Sequence, residues 1–336
     1  LGNILRDLGN LKEAENSYRQ AIVLKPDFAE AHSNLGGILS DLGNLKEAEL
    51  STRKAIELKP DFTKAYLNLG AILTGLGELE EAEIHYKKAI EINPDYTKAY
   101  YYLSLLKYSD KNKTWQNQLF SKSILNNKLK TDQIDIYFAR ANVLHNEKQY
   151  RESSKCLELA NKLKLETKYS KPNLIISKSK ILLNESYRRK TDQKENIKYP
   201  NILFIVGMSR SGSTLVESIL SMNKNVCDLG ELNLLEESFL EQKRSNQDLT
   251  LAELYLKKVK AYKGNLNKIT DKCLYNYQYA GIILNQIPNA KIIHCFRNPL
   301  DNILSIYRAN FANKNNNYYS SLSDCTRVYL DQEEIM

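Results

Sequence analysis

The chain has 336 residues, 42% of them hydrophobic and 26% charged, and a formal net charge of +8; this length allows more than one folded domain. No run of about 20 apolar residues occurs, so we expect no membrane span. The positive excess lies in residues 107–200, which carry 21 basic and 10 acidic side chains. Because no recognisable nucleic-acid-binding module accompanies this charge, we expect no nucleic-acid partner.

A period of 34 residues runs through the first third of the chain: Leu-Gly pairs begin at positions 1, 35 and 69. Four sets of small or helix-ending residues recur at the same interval: Gly9, Gly43 and Gly77; Ala14, Ala48 and Ala82; Ala21, Ala55 and Ala89; and Pro26, Pro60 and Pro94. This pattern resembles the tetratricopeptide repeat (TPR), which is a helix–turn–helix unit. The resemblance implies an α-helical TPR array over residues 1–165, regular to about residue 108 and continued by a divergent helix pair at 134–163.

The repeats also predict a kind of binding partner. Stacked helix pairs form a curved array whose concave face commonly holds a peptide or another domain, so the resemblance implies a protein partner. Asn34 and Asn68 occupy the same position in successive repeats. These side chains either bond the backbone of a bound peptide or only cap helices and contact solvent. Self-association through the repeats is a further alternative.

A strand–loop–helix segment follows a predicted helical connector at 166–199. From Ile202 it consists of the residues ILFIVGMSRSGSTL, which predict a buried strand, a short loop and a helix. This order directs backbone N–H groups and a helix N-terminus at one point, which suits phosphate or sulfate. The spacing matches the nucleotide-binding pattern G-x-x-x-x-G-K-[ST], except that Ser213 replaces the lysine. Arg210, inside the loop, supplies a positive charge instead.

The sequence GMSRSGSTLVESIL in this segment resembles the 5′-phosphosulfate loop of sulfotransferases that use 3′-phosphoadenosine 5′-phosphosulfate (PAPS). The similarity is greatest to bacterial sulfotransferases fused to TPR repeats and more distant to tyrosylprotein sulfotransferases. It implies an α/β, P-loop-like domain with a mainly parallel sheet over 200–336. It also implies transfer of a sulfuryl group from PAPS to a hydroxyl acceptor, possible substrates being protein or carbohydrate, without a metal. The residues expected to bind the 5′-phosphosulfate are Arg210, Ser211, Gly212, Ser213 and Thr214.

A glutamate 21 residues after Arg210 is the expected general base. The sequence Gly-Glu-Leu-Asn at 230–233 matches the region in which tyrosylprotein sulfotransferases carry that base, so the resemblance assigns the role to Glu231. A carboxylate near cationic side chains can accept the proton of the acceptor hydroxyl. The alternative is that Glu231 caps the following predicted helix, because acidic residues favour the first turn.

An Asp-Lys pair ending at Lys272 is the next expected part of the site. Related sulfotransferases often have Met-Pro after this pair, whereas Cys273 and Leu274 stand there in this chain. The resemblance implies that Lys272 holds the bridging oxygen of the departing group, and that Arg210 assists catalysis beside it. Alternatively, Lys272 is one more lysine of a basic stretch.

The residues KIIHCFRNPLDNILSIY at 291–307 predict a strand that ends at Arg297 and a helix that begins with Asn298 and Pro299. Ser305 lies about two turns into that helix. The resemblance implies that Arg297 and Ser305 bind the 3′-phosphate of PAPS. Alternatively, Arg297 only ends a strand and Ser305 is a hydroxyl on a helix surface.

The remaining sequence features concern the sheet, the compartment and the chain ends. Strands are predicted at 201–206, 268–271 and 291–296, with helices near 232–240 and 251–262. Five cysteines without C-x-x-C spacing argue against a zinc site and suit a reducing, cytoplasmic compartment. The chain begins within a repeat and ends within a helical run, so we expect both termini to be missing and the last domain to be C-terminally incomplete.

Two other functions are compatible with the same sequence. The first is a TPR scaffold protein with a degenerate nucleotide-binding domain and no catalysis. The second is a P-loop kinase, which the serine in place of the P-loop lysine disfavours. Sulfuryl transfer separates the enzyme from the scaffold, and magnesium-dependent ATP turnover would support the kinase.

Overall fold

The computed structural model describes residues 1–106, 114–187, 199–244, 249–263, 268–311 and 317–336. The chain divides into two units, Leu1–Thr167 and Lys168–Met336. None of the described helices is long and apolar enough to cross a membrane. The described part of the first unit is helical, with a short 3₁₀ helix at Ser123–Leu125 and the α-helices α1 (Gly2–Asp7), α2 (Leu11–Leu24), α3 (Ala29–Asp41), α4 (Leu45–Leu58), α5 (Thr63–Leu76), α6 (Leu79–Ile92), α7 (Thr97–Leu105), α8 (Thr114–Phe120), α9 (Lys130–Asn146) and α10 (Tyr150–Thr167).

Helices of the first unit pair because turns and close contacts recur with the sequence period. The turn after the first helix of each regular pair contains a glycine with φ between +81° and +84°, a left-handed conformation that glycine adopts without steric cost; these are Gly9, Gly43 and Gly77. The second helix of each pair contributes a fully buried alanine, whose small side chain lets the helices approach closely; these are Ala14, Ala48 and Ala82. The predicted α-helical array is confirmed, and its divergent pair corresponds to α9 and α10.

Replacing Gly70 with alanine should destabilise the repeat array, because the ring of Tyr86 packs directly on this glycine. The added Cβ would lie 2.5 Å from Cε1 of Tyr86, a residue that is 1% exposed. Overpacking of this kind costs about 1–3 kcal/mol. Gly37→Ala is the matched control: its Cβ would meet only Nδ2 of Asn68, at 4.0 Å, so α3 should gain about 0.5–1 kcal/mol. Urea denaturation measures both free energies of unfolding, and equal values would contradict the prediction.

The second unit is an α/β domain built on a four-stranded sheet. The strands are β1 (Asn201–Gly207), β2 (Val226–Asp228), β3 (Lys268–Asp271) and β4 (Ala290–Cys295). Their order is β2-β3-β1-β4, and each neighbouring pair is parallel, which confirms the predicted sheet. The α-helices are α11 (Pro172–Ser186), α12 (Ser213–Ser221), α13 (Leu234–Arg244), α14 (Leu251–Lys263), α15 (Ala280–Gln286), α16 (Pro299–Tyr307) and α17 (Leu322–Ile335), with 3₁₀ helices at Leu274–Tyr279 and Asn317–Ser320.

Strand β1 lies between β3 and β4, and its sequence explains this inner position. A strand in the middle of a parallel sheet is buried on both faces and therefore carries a continuous apolar run. Accordingly Phe204, Ile205 and Val206 are all 0% exposed. The observed bounds of β1, β3 and β4 agree with the predicted ones within one residue, whereas β2 has only three residues and was not predicted.

Helix α11 lies within the segment predicted as a connector and packs on the α/β unit. The hydroxyl of Ser179 donates a hydrogen bond to Oδ2 of Asp331 at 2.7 Å, and Nε2 of Gln278 donates to the carbonyl of Ile175 at 2.9 Å. Residues 188–198 of the predicted connector lie outside the described residues. The domain boundaries drawn from the sequence therefore stay predictions.

Candidate active site

All the site residues expected from the sequence follow strands of the parallel sheet at its carboxyl edge, where ligands of open α/β sheets bind. The loop after β1 contributes the glycine-rich segment, and the segments after β2, β3 and β4 contribute Glu231, Lys272 and Arg297. A cavity of about 460 Å³ opens there. It is lined by Ser209, Arg210, Gly212, Ser213, Thr214, Glu231, Leu274, Arg297, Phe311 and Tyr319.

The glycine-rich loop requires its two glycines for different reasons. A Cβ on Gly207 would lie 2.6 Å from the carbonyl oxygen of Cys295 and 2.8 Å from Oγ of Ser211, so β4 and the loop approach too closely for a side chain. Arg210 and Gly212 have φ of +69° and +97°, which reverses the loop into α12. The helix begins at Ser213, and its first-turn N–H groups have no partners within the helix. They are therefore available to an anion at the cavity.

Two arginines and Ser305 lie beside this loop. Nε of Arg210 donates to Oγ of Ser305 at 3.3 Å, and Nη1 of Arg297 donates to the carbonyl oxygen of Arg210 at 3.3 Å. Neither guanidinium forms an ion pair with a carboxylate in the described ranges. Residues 87 to 95 apart in the sequence are thus brought together, and they concentrate positive charge at one end of the cavity.

Polar atoms without partners support an anion-binding role for the loop. Oγ of Ser211 is buried and has no hydrogen-bond partner among the described residues, and such a group normally requires a ligand or water. Asn302 of α16 is 0% exposed and its Nδ2 donates to the carbonyl of Ser209 at 3.1 Å. Asn302 therefore ties the loop to the helix that carries Ser305, a role that the sequence did not reveal because an asparagine in a helix usually faces solvent.

Lys272 and Glu231 form an ion pair at the same cavity. Nζ of Lys272 lies 2.7 Å from Oε1 of Glu231 and 3.3 Å from Oγ1 of Thr214. The Lys272 side chain is 8% exposed, whereas that of Glu231 is 62% exposed, so the carboxylate is accessible and the ammonium is not. Glu231 lies three residues before α13 begins, which places it outside the first helical turn that the alternative role would need.

Asp271 and Glu217 are buried acids behind the pair, and burial raises the pKa of both carboxyl groups. Asp271 is 0% exposed and accepts hydrogen bonds from three donors; its pKa rises to about 7. Oε2 of Glu217 lies 3.9 Å from Nζ of Lys272. Glu217 was not predicted as a site residue, because glutamate side chains are mostly exposed.

Sequence comparisons agree with the two-unit organisation. Residues 200–336 match the model of the sulfotransferase family. Models of the TPR repeat match residues 2–43, 29–62, 63–96 and 134–167. The chain therefore carries a sulfotransferase-family domain after an array of TPR repeats. An uncharacterized protein of Aquifex aeolicus is 36% identical over 33% of this chain and 17% of its own length, so the chain spans only a small part of that relative.

Solved structures similar to this chain include TPR proteins. The first TPR of Spaghetti (RPAP3), bound to an HSP90 peptide, is 28% identical over 30% of this chain and 81% of its own, with a TM-score of 0.30. YrrB, a TPR protein with an unusual peptide-binding site, is 18% identical over 48% of this chain and 82% of its own, with a TM-score of 0.37. Pseudomonas aeruginosa PilF is 19% identical over 56% of this chain and 82% of its own, with a TM-score of 0.40. Because these TM-scores are low, the TPR assignment rests on the sequence models.

Proposed function

We propose that the α/β domain transfers a sulfuryl group from PAPS to a hydroxyl acceptor, and that the TPR repeats bind a protein partner. One observation carries this proposal: the glycine-rich loop, two arginines and Glu231 line one cavity, and Lys272 pairs with Glu231 beside it. A site for a neutral ligand would not place three cations at one edge of a sheet. The free thiols of the five cysteines suit a reducing compartment, so we place the protein in the cytoplasm.

The donor-binding residues have separate roles in this proposal. The first-turn N–H groups of Ser213 and Thr214, with the hydroxyl of Ser211, hold the 5′-phosphosulfate at the helix N-terminus. Arg210 adds a planar charged group that can bond two oxyanion oxygens. Arg297 and Ser305 bind the 3′-phosphate, the group that distinguishes PAPS from common adenine nucleotides. The buried, unpartnered hydroxyl of Ser211 is the feature that fits such an anion best.

Two residues act on the reacting groups. The donor supplies a sulfuryl group, whose bond to the 5′-phosphate breaks as the acceptor oxygen bonds to sulfur. Glu231, as the exposed carboxylate of the pair, accepts the acceptor's proton. Lys272 neutralises the negative charge that develops on the bridging oxygen. Arg210 supplies positive charge when the donor binds, and Lys272 supplies it when the sulfuryl group leaves the 5′-phosphate, so neither step needs a metal.

Arg297→Ala should weaken binding of adenosine 3′,5′-bisphosphate, the desulfated donor, by roughly tenfold to a hundredfold, because it removes a charge-assisted hydrogen bond worth about 1.5–3 kcal/mol. Isothermal titration calorimetry measures the affinity. Arg327→Ala is the control, since Arg327 pairs with Asp324 on α17 and does not line the cavity. ATP, which lacks a 3′-phosphate, should bind weakly to both variants. Equal affinities of wild type and Arg297→Ala would overturn the 3′-phosphate assignment.

Single-turnover transfer from ³⁵S-labelled PAPS separates catalysis from a scaffold role. The probes are a tyrosine-containing acidic peptide, a glycoside and a small aliphatic alcohol, which represent the three classes of hydroxyl acceptor. Labelling of one class would support the enzyme and identify its acceptor class. The opposite result is binding of the bisphosphate with no labelled probe and no release of labelled inorganic sulfate from PAPS. This result would instead support a TPR scaffold with a nucleotide-binding domain.

A further inference from the structure

Glu217 is a buried carboxylate that the roles described above leave unused. It belongs to α12, the helix that begins at the anion-binding loop, and is 7% exposed. Its Oε2 lies 3.9 Å from Nζ of Lys272, while its Oε1 is buried and has no hydrogen-bond partner in the described part of the chain. Burial raises the pKa of Glu217, and the neighbouring Lys272 acts in the opposite direction.

Lys272 therefore lies between two carboxylates of different exposure. The side chains of Lys272 and Glu217 are 8% and 9% exposed, whereas that of Glu231 is 62% exposed. A buried ammonium that loses its carboxylate partner is strongly destabilised. The other groups near Glu217 are Asp228 and the backbone amide of Gly230, and neither replaces a buried carboxylate as a partner for Lys272.

The two carboxylates have different fates during the proposed reaction. When Glu231 accepts the acceptor's proton, it becomes a neutral carboxylic acid and no longer compensates Lys272. We propose that Glu217 is a positioning residue, which keeps the Lys272 ammonium compensated and in place while Glu231 is protonated. This inference rests on the proposed sulfuryl transfer. Because Glu217 belongs to α12, it also fixes Lys272 relative to the loop that binds the donor.

A double-mutant cycle tests whether Glu217 acts through Lys272. Glu217→Gln keeps the shape of the side chain and removes its charge, and should lower the single-turnover rate by roughly tenfold to a hundredfold with unchanged affinity for adenosine 3′,5′-bisphosphate. In a chain that already carries Lys272→Ala, the same change should have little further effect. A purely structural role would instead lower the rate equally in both backgrounds, which would overturn the proposal.

The matched control is Glu237→Gln. Oε2 of Glu237 lies 3.8 Å from Nζ of Lys258, a separation close to that of the Glu217–Lys272 pair, but its side chain is 54% exposed. This variant should keep the wild-type rate. Thermal unfolding of each variant checks that the domain is folded, and Glu217→Asp, which restores the charge on a shorter side chain, should recover part of the lost rate.

A labelling experiment tests the contact without any donor or acceptor. Acetylation of lysines by an N-hydroxysuccinimide ester, followed by peptide mass spectrometry, measures the reactivity of each amine, which falls when the amine is buried and paired. Lys272 should react severalfold faster in Glu217→Gln than in wild type, and Lys258 should serve as the reference amine. If PAPS supports no turnover at all, the proposed function fails while this result still decides the contact. Equal reactivity of Lys272 in both chains would overturn the positioning role.

Discussion

Glu231→Gln should slow single-turnover sulfuryl transfer by about 10²–10⁴-fold, the usual contribution of a positioned general base. The amide keeps the size of the side chain and can still accept a hydrogen bond from Lys272, but it cannot take the acceptor's proton. Affinity for adenosine 3′,5′-bisphosphate should remain at the wild-type value, because Glu231 contacts Lys272 and not Arg210 or Arg297, which we propose to hold the phosphates. The loss should therefore appear in the rate of transfer and not in donor binding.

Glu241→Gln is the control for this prediction. Glu241 also pairs with a lysine, its Oε2 lying 3.0 Å from Nζ of Lys258, but on α13 away from the cavity-lining residues. Its rate should equal that of wild type. A Glu231→Gln rate within about threefold of wild type, well below the contribution expected of a base, would contradict the catalytic role. An unchanged rate with a lower melting temperature would support the structural alternative.

Local sequence predicted most of the candidate site. The apolar strand and the glycine spacing lie within one segment of fourteen residues, and together they predict a sharp loop. The positive φ values of Arg210 and Gly212 agree with such a loop. The convergence of distant segments also follows from local evidence. Since the carboxyl ends of parallel strands meet at one edge, the segments after β1, β3 and β4 must approach one another once those strands are located.

Contacts that depend on burial could not be predicted in this way. Lys272 and Glu231 are 41 residues apart, and nothing in either segment specifies their pairing. Glu217 looks in the sequence like any acidic residue of a helix, and only the structure shows that it is buried beside Lys272. Strand β2 has three residues, too few for a hydrophobic period to be recognised. Burial is set by the whole fold, so these features required the structure.

Asp271 shows how burial also changes the chemistry of a residue next to the site. Its Oδ1 accepts from the backbone N–H of Cys273 at 3.0 Å and from Nδ2 of Asn276 at 2.9 Å. Its Oδ2 accepts from the hydroxyl of Tyr255 at 2.8 Å. These bonds fix the end of β3, from which Lys272 projects. They favour the charged form, but complete burial outweighs them and raises the pKa of Asp271 from 3.8 to about 7.

Asp271→Asn should remove a pH dependence from the stability of the α/β domain. In the unfolded chain this carboxyl group loses its proton near pH 3.8, and in the folded chain only near pH 7. Between these values the folded state binds more protons, so the stabilisation is complete below about pH 4 and is lost as the pH rises through 7. At roughly 1.4 kcal/mol for each pKa unit, the full change is about 4 kcal/mol.

Asparagine resembles the protonated acid at this position. Its carbonyl oxygen can accept from Cys273 and Asn276, and its amide can donate to the hydroxyl oxygen of Tyr255, so the O–H of Tyr255 alone loses its acceptor. The variant should therefore lie about 1–3 kcal/mol below wild type at pH 4, because of the unsatisfied hydroxyl. Its stability relative to wild type should rise up to about pH 7 and stay constant above that pH. Hydrogen exchange of β1 and β3 peptides in increasing urea measures this domain, and fluorescence of the single tryptophan, Trp115, follows the repeats as an internal reference.

Asp228→Asn separates this effect from the loss of any carboxylate at a strand end. Asp228 ends β2 beside β3, and its side chain is exposed, so it has no comparable burial to relieve. Its difference in unfolding free energy from wild type should stay constant over the same pH range. A constant difference for Asp271→Asn as well would show that the buried carboxyl is charged throughout. The three hydrogen bonds would then outweigh the effect of burial on the pKa of Asp271. Asp271, at the end of β3, and Lys272, the next residue, would both be charged beside the site.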